Sequence, residues 1–242
     1  MLIKFFRPEH VQQFLNGMLY FKNAGYFIDE EEKRGNKGIG DKHEGSFFSP
    51  FNPQTHEIYI SIGDGEEKHK LNITRGFSTS RYENVRQLQL TCFTAITLDD
   101  MENINENEQK IKVELIEELK KDFEGRVPVL ISDENTFFNK VKDAFETADI
   151  GAKRGFVNYF DRYKGYPLTE EEYENNITKA FFYKEDYFKS QREYRIITSH
   201  PVEGDSLELH LGDIKECVVN LESVDNLKNL MLQTIEKEEI GS

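Results

Sequence analysis

The sequence has 242 residues and carries 31 Lys and Arg against 45 Asp and Glu, which gives a formal net charge of −14. This acidity argues against a general nucleic-acid binder, whose affinity comes from cations that neutralise phosphates. The 19 Phe and 11 Tyr are too many for a disordered acidic polymer, so the composition predicts a folded chain with an aromatic core.

The sequence shows no sign of a membrane segment or an export signal. It has no run of about 18 apolar residues, and no apolar stretch follows the first strand-like residues. The two cysteines, Cys92 and Cys217, lie in apolar runs, which indicates buried and reduced thiols. We therefore expect a cytoplasmic protein without a membrane partner.

Apolar periodicity and capping residues predict the elements of the first half of the chain. They are strands at 2–6, 18–21 and 87–98, a helix from Pro8 to Asn16-Gly17, a turn at 23–25, and a hairpin with strands at 57–62 and 68–73 around Gly63-Asp64-Gly65. The charged and glycine-rich stretch at 29–45 is typical of a mobile loop.

The second half begins with an acidic, asparagine-rich connector at 99–109. Helices are predicted at 115–123, at 134–147 after an Asp133 cap, after the capping box Thr169-Glu-Glu-Glu172, and at 226–236. Strands are predicted at 127–131, 155–159, 181–183, 192–198, 207–211 and 216–221. The sum is an α+β fold of mostly antiparallel mixed sheet with flanking helices, as one domain over 1–242; a subdivision would fall near 99–110.

Common cofactor motifs are missing from the sequence. Gly38-Ile-Gly40 resembles half of a dinucleotide fingerprint, but Gly45 falls at the wrong offset and no strand precedes it. Asp41, His43 and Glu44 form the one histidine-containing group that could hold a metal, although their spacing is more typical of a solvated charged loop.

The most specific local feature is the run from Ser190 to Ile197. On a strand, side chains alternate, so Gln191, Glu193 and Arg195 are predicted to share one face. Two interpretations stay open for this row. It is either an exposed strand face with an ion pair worth about 0–1 kcal/mol, or part of a functional site.

The Gln191-x-Glu193 pair on a late strand resembles the signature of ADP-ribosyltransferases of the Arg / Ser-Thr-Ser / Gln-x-Glu type. Arg7 at the end of the first strand and the tripeptide that begins at Ser78 match the other two pieces in order. The strand at 91–94 is the alternative for the middle position.

This resemblance implies an ADP-ribosyltransferase-like fold with NAD as the substrate. Glu193 would stabilise the positive charge that builds on the ribose ring when the nicotinamide bond breaks. Gln191 would orient the acceptor, Ser78 would hydrogen bond to Glu193, and Arg7 would pair with the diphosphate. Arg195 and the Asp41, His43, Glu44 group complete the set of residues expected around the cofactor.

The order of elements is also similar to a set of bacterial and phage proteins found near phage-resistance loci. That similarity implies a role in phage–bacterium conflict and one cleft shared by Arg7, the loop carrying Asp41 and Glu44, and Glu193. No activity can be carried over from this set.

Three functions are therefore considered. The first is NAD-dependent ADP-ribosyl transfer or NAD cleavage. The second is a non-catalytic module that binds a nucleotide or a protein target, which acidity suits because acidic surfaces engage basic partners. The third, ranked last, is a nuclease with Asp41, Glu44 and Glu193 as Mg²⁺ ligands.

Overall fold

The computed structural model describes residues 1–63 and 67–235. Its α-helices are α1 (Pro8–Leu15), α2 (Ala24–Glu32), α3 (Val113–Asp122), α4 (Glu134–Thr147) and α5 (Glu170–Asn175). Its strands in the first half are β1 (Leu2–Phe6), β2 (Met18–Asn23), β3 (Phe47–Pro50), β4 (Ile58–Ser61), β5 (Lys68–Leu71), β6 (Phe77–Ser80), β7 (Gln89–Ala95), β8 (Met101–Asn103) and β9 (Glu108–Ile111). The later strands are β10 (Val127–Ile131), β11 (Ala152–Phe156), β12 (Asn158–Phe160), β13 (Tyr183–Glu185), β14 (Glu193–Thr198), β15 (Ser206–His210), β16 (Val218–Asn220) and β17 (Met231–Gln233).

The largest sheet has the strand order β11-β14-β7-β1-β10-β16, and every pairing along this path is antiparallel. Strand β2 also pairs with β7, and β15 pairs with β2. Smaller sheets are formed by β3 with β6, β4 with β5, β12 with β13, and β8 with β9 and β17. The α+β class with mostly antiparallel sheets is thus confirmed. Among the described residues, no helix combines the length and apolar character needed to cross a membrane.

Along one edge, the central strand β7 pairs with two different strands. Its C-terminal end pairs with β1 at Thr94 and Ala95, whereas its N-terminal end pairs with β2 at Gln89 and Leu90. The ammonium of Lys4 fills the gap and donates to Thr91 Oγ1 at 2.6 Å and to the Cys92 carbonyl at 2.9 Å. These bonds satisfy a backbone carbonyl that no neighbouring strand reaches.

Helices cover both faces of the central sheet. On one face, α1 and α4 pack aromatic and aliphatic residues such as Phe14, Phe137 and Val141 against the sheet. On the other face, α3 packs Leu119 near β1, and α2 packs Ala24 against the N-terminal end of β7. This second face also carries the charged residues described below.

Several predicted elements have the expected bounds. The strands at 2–6 and 127–131 and the helix at 134–147 are confirmed to the residue. The carboxylate of Asp133 caps α4 by accepting from the Thr136 backbone N–H at 3.0 Å. The hairpin is confirmed, with strands at 58–61 and 68–71 in place of the predicted 57–62 and 68–73, while Asp64 and Gly65 of its turn lie outside the described residues.

Other predictions are wrong because a tertiary contact or a cap overrides the local pattern. The predicted turn at 23–25 is the start of α2, since the Asn23 side chain accepts from the Tyr26 N–H at 2.8 Å. The predicted connector at 99–109 contains β8 and β9, with Asn105 closing the turn between them. The predicted helix at 226–236 is a 3-10 turn followed by β17, which pairs with β9; Glu236 lies outside the described residues.

Two predicted strands also change. The strand at 155–159 divides at Val157 into β11, which pairs with β14, and β12, which pairs with β13 instead. The strand at 181–183 is mostly a 3-10 helix over Ile177–Phe182, followed by β13. This 3-10 helix aims the Phe181 carbonyl at Arg195, which donates to it at 2.8 Å.

Candidate functional site

The site is built around the first residues of β14. Register places Glu193 opposite Thr94 and Arg195 opposite Cys92, so all four side chains share one face of the sheet. Glu193 is 7% exposed and Arg195 is 1% exposed. The predicted sharing of a face by Glu193 and Arg195 is therefore confirmed, whereas the exposed-strand interpretation is wrong.

The Arg195 guanidinium joins two carboxylates. Its Nε donates to Glu193 Oε2 at 2.5 Å, and its Nη1 and Nη2 donate to the two oxygens of Glu44 at 2.6 and 3.1 Å. This is a bidentate fork, the strongest geometry for a guanidinium and a carboxylate. It ties the segment before β3 to β14 across about 150 residues of sequence.

A buried lysine completes the contacts of Glu193. Lys184, on β13, donates to Glu193 Oε1 at 2.7 Å and to Gln191 Oε1 at 3.0 Å. Each Glu193 oxygen therefore accepts from a cation, and the Glu193 backbone N–H donates to the Tyr159 hydroxyl at 2.8 Å. Gln191 itself ends a 3-10 helix rather than lying on the strand, yet Lys184 holds it beside Glu193.

Asp41 and Glu44 come from the stretch that was predicted to be a mobile loop, and both are buried. That prediction is wrong at both ends: 29–32 is helical, and 44–46 lies in the core. Gly45 has φ +66°, and a Cβ there would lie 2.6 Å from the Phe181 ring, so only glycine fits. Between the helical residues 29–32 and the buried residues 44–46, the Gly38 carbonyl accepts a hydrogen bond from Gln191 Nε2 at 2.5 Å.

We refer to Asp41, Glu44, Lys184, Glu193 and Arg195 as the charge cluster. Burial would raise the pKa of Glu193, but Arg195 and Lys184 outweigh it and hold that pKa well below its usual range. Burial raises the pKa of Asp41 to about 7, with Lys184 opposing and nearby Glu44 adding to the rise. Two carboxyl groups in one cluster thus have pKa values displaced in opposite directions.

The charge cluster balances only when one proton is present. Its three carboxylates face two cations, which leaves one negative charge in the protein interior if every group is ionised. Protonating Asp41 removes that charge, which agrees with its raised pKa. The cluster therefore carries no net charge when Asp41 is protonated and the other four groups are ionised.

Arg7 is exposed and occupies the position just before α1, where its side chain makes no capping hydrogen bond. Alternation along β1 puts it on the sheet face of Ile3, which pairs with Thr94, the residue opposite Glu193. Arg7 lies four residues beyond Ile3, so it is about 13 Å along the strands and about 10 Å across them from Glu193. It shares the face with Glu193 but makes no contact with the charge cluster.

Ser78 and His43 lie apart from Glu193. Ser78 is exposed on β6, pairs with Ser49, and makes no hydrogen bond with Glu193. The residue that faces Glu193 across the sheet is Thr94, on the strand considered as the alternative for the middle position. The His43 ring packs against Phe48 at 5.2 Å, and burial lowers its pKa to about 4, so it is neutral at pH 7.

No group of three or more His, Cys, Asp or Glu suited to a metal occurs within 1–63 and 67–235. In the charge cluster, cations occupy both oxygens of Glu44 and both oxygens of Glu193. The two cysteines are free; burial raises the pKa of Cys92 to about 12, so it is a thiol rather than a nucleophile.

Lys184, Tyr159 and Arg192 were not identified as site residues from the sequence. Lys184 carries a weak signal, since it is a single cation between Phe-Phe-Tyr and an acidic pair. Arg192 adopts φ 48° and ψ 46°, a left-handed conformation that is strained for a non-glycine residue. Its Nη1 donates to buried Asp100 at 2.6 Å, which fixes the turn between Gln191 and Glu193.

This strain can be measured with a matched pair of variants. Arg192→Ala and Arg192→Gly both remove the ion pair with Asp100, but only glycine accepts φ 48° without steric cost. We expect Arg192→Gly to be more stable than Arg192→Ala by about 1 kcal/mol in urea unfolding. Equal stabilities of the two variants would contradict a strained turn.

Comparison with known proteins adds no relative to this geometry. No family model matches the sequence, and neither curated proteins nor solved structures give a match. The case for function therefore depends on the charge cluster and its surroundings.

Proposed function

We propose that the chain acts on the bond between a ribose and its leaving base, with NAD as the substrate, as in ADP-ribosyl transfer. The observation that carries this proposal is the pair of carboxyl groups, Glu193 and Asp41, with pKa values displaced in opposite directions within one cluster. Such pairs divide acid and base roles between two groups in enzymes that cleave glycosidic bonds.

In this proposal each residue has one task. The permanently ionised Glu193 faces the positive charge that develops on the ribose ring. Nicotinamide leaves as a neutral base and needs no proton, so the ionised form of Asp41, whose pKa is about 7, accepts the proton that the acceptor loses when it bonds to the ribose. Gln191 orients the acceptor beside Glu193, and Arg7, on the same sheet face, pairs with the diphosphate.

Substrate reaches Glu193 only after a local opening. The mostly exposed segment 34–39 covers Gln191, whose side-chain amide donates a hydrogen bond to the Gly38 carbonyl. Asp41 and Glu44, which follow this segment, are buried. A segment with few buried contacts opens at low free-energy cost, so 34–39 acts as the lid in this proposal. The order of elements in the sequence, which resembles that of proteins near phage-resistance loci, is the ground on which this proposal includes a role in phage–bacterium conflict.

The deciding experiment is NAD turnover by wild-type protein and Glu193→Gln. We expect the variant to lose about 10²–10³ in kcat, because the preorganised negative charge is gone. NAD affinity should stay nearly unchanged, since Arg7 and the lid are intact. Glu174→Gln, an exposed substitution on α5, is the matched control and should keep full turnover.

Calorimetric melting separates chemistry from folding in this experiment. Glutamine keeps one acceptor oxygen but sets its NH2 group against the second of the two donors, Lys184 and Arg195, so Glu193→Gln should lose stability, and turnover is compared at a temperature where both proteins are folded. Turnover that survives in folded Glu193→Gln would contradict the proposal. Turnover absent from wild-type protein as well would favour the second candidate.

The second candidate is a non-catalytic module that binds a nucleotide or a protein. It is favoured by one observation: Lys184 and Arg195 occupy both oxygens of Glu193 and offset its charge. A carboxylate so neutralised stabilises a nearby cation less than a free one. If the chain is such a module, we expect NAD or ADP-ribose to bind without being consumed.

A further inference from the structure

A cavity lies on the opposite face of β14 from the charge cluster. Its volume is about 430 Å³, within the size range of small-molecule sites. Because side chains alternate along a strand, Glu193 points to the cluster while its neighbour Tyr194 lines this cavity. The start of α4 and the segment after β7 close its other sides.

Aromatic rings form one wall of the cavity. Phe156 on β11 pairs with Tyr194 on β14, and their rings meet edge to face at 5.0 Å. Phe156 is 58% exposed, a large apolar surface beside a cavity rather than in the core. Phe138 on α4 lies across from them, 5.6 Å from the Tyr194 ring.

Arg154 supplies the cationic side chain among the residues that line the cavity. Arg154 stacks on Phe138, with its central carbon 3.8 Å from the ring centre. It forms no ion pair with any residue in the described part of the chain, although acidic residues outnumber basic ones. Stacking covers one flat face of the guanidinium, while its N–H edges face polar partners, which include the neighbouring Tyr194 hydroxyl and would include an anionic oxygen of a ligand.

The neighbouring polar groups refine the fit. Glu134 also lines the cavity, and its carboxylate lies 3.6 Å from the N-terminal ammonium of Met1, which offsets its charge. Asn135 and Thr97 offer uncharged hydrogen-bonding groups. A ligand with one flat ring system and one anionic group therefore meets a partner for each part.

We propose that this cavity is a binding site for a small planar aromatic anion, a class that includes mononucleotides and aromatic carboxylates. The ring stacks against Phe156 and Tyr194, and the anionic group pairs with Arg154. The site is separated from the charge cluster by the thickness of the sheet, so it does not depend on the function proposed for that cluster.

Isothermal titration calorimetry with four probes tests this site. Adenosine monophosphate and nicotinate carry both a ring and an anion, adenosine carries only the ring, and inorganic phosphate carries only the anion. We expect at least one of the first two to bind at least about ten-fold more tightly than adenosine or phosphate, since both contacts contribute. Which of the two binds distinguishes a nucleotide from an aromatic carboxylate.

Variants locate the binding. Arg154→Met should weaken binding at least about ten-fold, the effect of losing one charge-assisted contact. Phe156→Ser, at an exposed position, should weaken binding without affecting folding. It replaces Arg154→Met as the test variant if Arg154→Met is unstable. Arg75→Met removes the same charge at an exposed position and should leave the dissociation constant unchanged.

Four outcomes would overturn the proposal. Three of them are no binding of any probe, adenosine binding as tightly as adenosine monophosphate and nicotinate, and binding that survives both Arg154→Met and Phe156→Ser. Adenosine monophosphate binding that is lost in Arg7→Ala but kept in Arg154→Met would place the nucleotide on the charge-cluster face, which also overturns it.

Discussion

Arg195→Met is expected to destabilise the folded protein by about 3–5 kcal/mol, the usual result of breaking a buried ion pair from one side. Arg195 is 1% exposed and is the cation shared by Glu44 and Glu193. Methionine fills similar space but leaves Glu44 ionised in the interior without a cation. Lys184 still pairs with Glu193, so the loss is concentrated at Glu44.

Urea unfolding followed by circular dichroism measures this effect. Adding Glu44→Gln to Arg195→Met should recover part of the lost stability, because the unpaired charge is removed. The control is Lys142→Met, which breaks an exposed ion pair with Glu146 and should change stability by less than about 0.5 kcal/mol. A loss below 1 kcal/mol in Arg195→Met, about the scale of an exposed pair, would contradict a buried cluster.

The second large effect is a pH dependence that Asp41→Asn should remove. Because the pKa of Asp41 rises from 3.8 to about 7 on folding, the folded protein holds a proton that the unfolded chain has already released. Between about pH 4 and 7 this contribution to stability falls as the pH rises. The largest stability that Asp41 can contribute in this way is about 4 kcal/mol, which corresponds to a difference of about 3 between its folded and unfolded pKa values.

Other groups titrate in the same range and must be separated. The lowered pKa of His43 makes stability rise with pH between about 4 and 6.5, which opposes Asp41. Glu193, with its pKa held low, loses its contribution only as the pH falls below about 4.5. The difference between wild type and Asp41→Asn at each pH isolates Asp41.

Asparagine resembles the protonated form of Asp41, so the variant should gain stability relative to wild type as the pH is raised from 4 to 8. Unfolding by urea at a series of pH values gives this difference directly. Asp29→Asn, at a carboxylate paired with Arg86 near the surface, is a suitable comparison. A constant difference between Asp41→Asn and wild type across this range would show that Asp41 is ionised in the fold.

The fold was predictable where local signals agree. Alternating apolar residues in β1 and the Asp133 cap of α4 specify their elements without help from distant residues. The prediction failed at 226–236, where the chain forms β17 because β9 offers a free edge. The local sequence pattern around β17 contains no information about β9, which lies about 120 residues earlier in the chain.

The candidate site was predictable in part for the same reason. Strand alternation was enough to group Glu193 with Arg195, since both lie on one strand. Lys184 reaches Glu193 only through the 3-10 turn before β14, and Glu44 reaches Arg195 across the fold. Such partners follow from tertiary packing, which pairs charges only after the sheet has formed.

The alternation along β14 also limits how the length of this segment can change. Arg195 belongs to the charge cluster, whereas Tyr194 and Ile196 belong to the aromatic cavity and the apolar core. Inserting or deleting one residue would exchange the two faces, sending a guanidinium into the core and an isoleucine among carboxylates. Natural variation here should therefore consist of substitutions, while gains and losses of residues accumulate in exposed stretches such as 52–57.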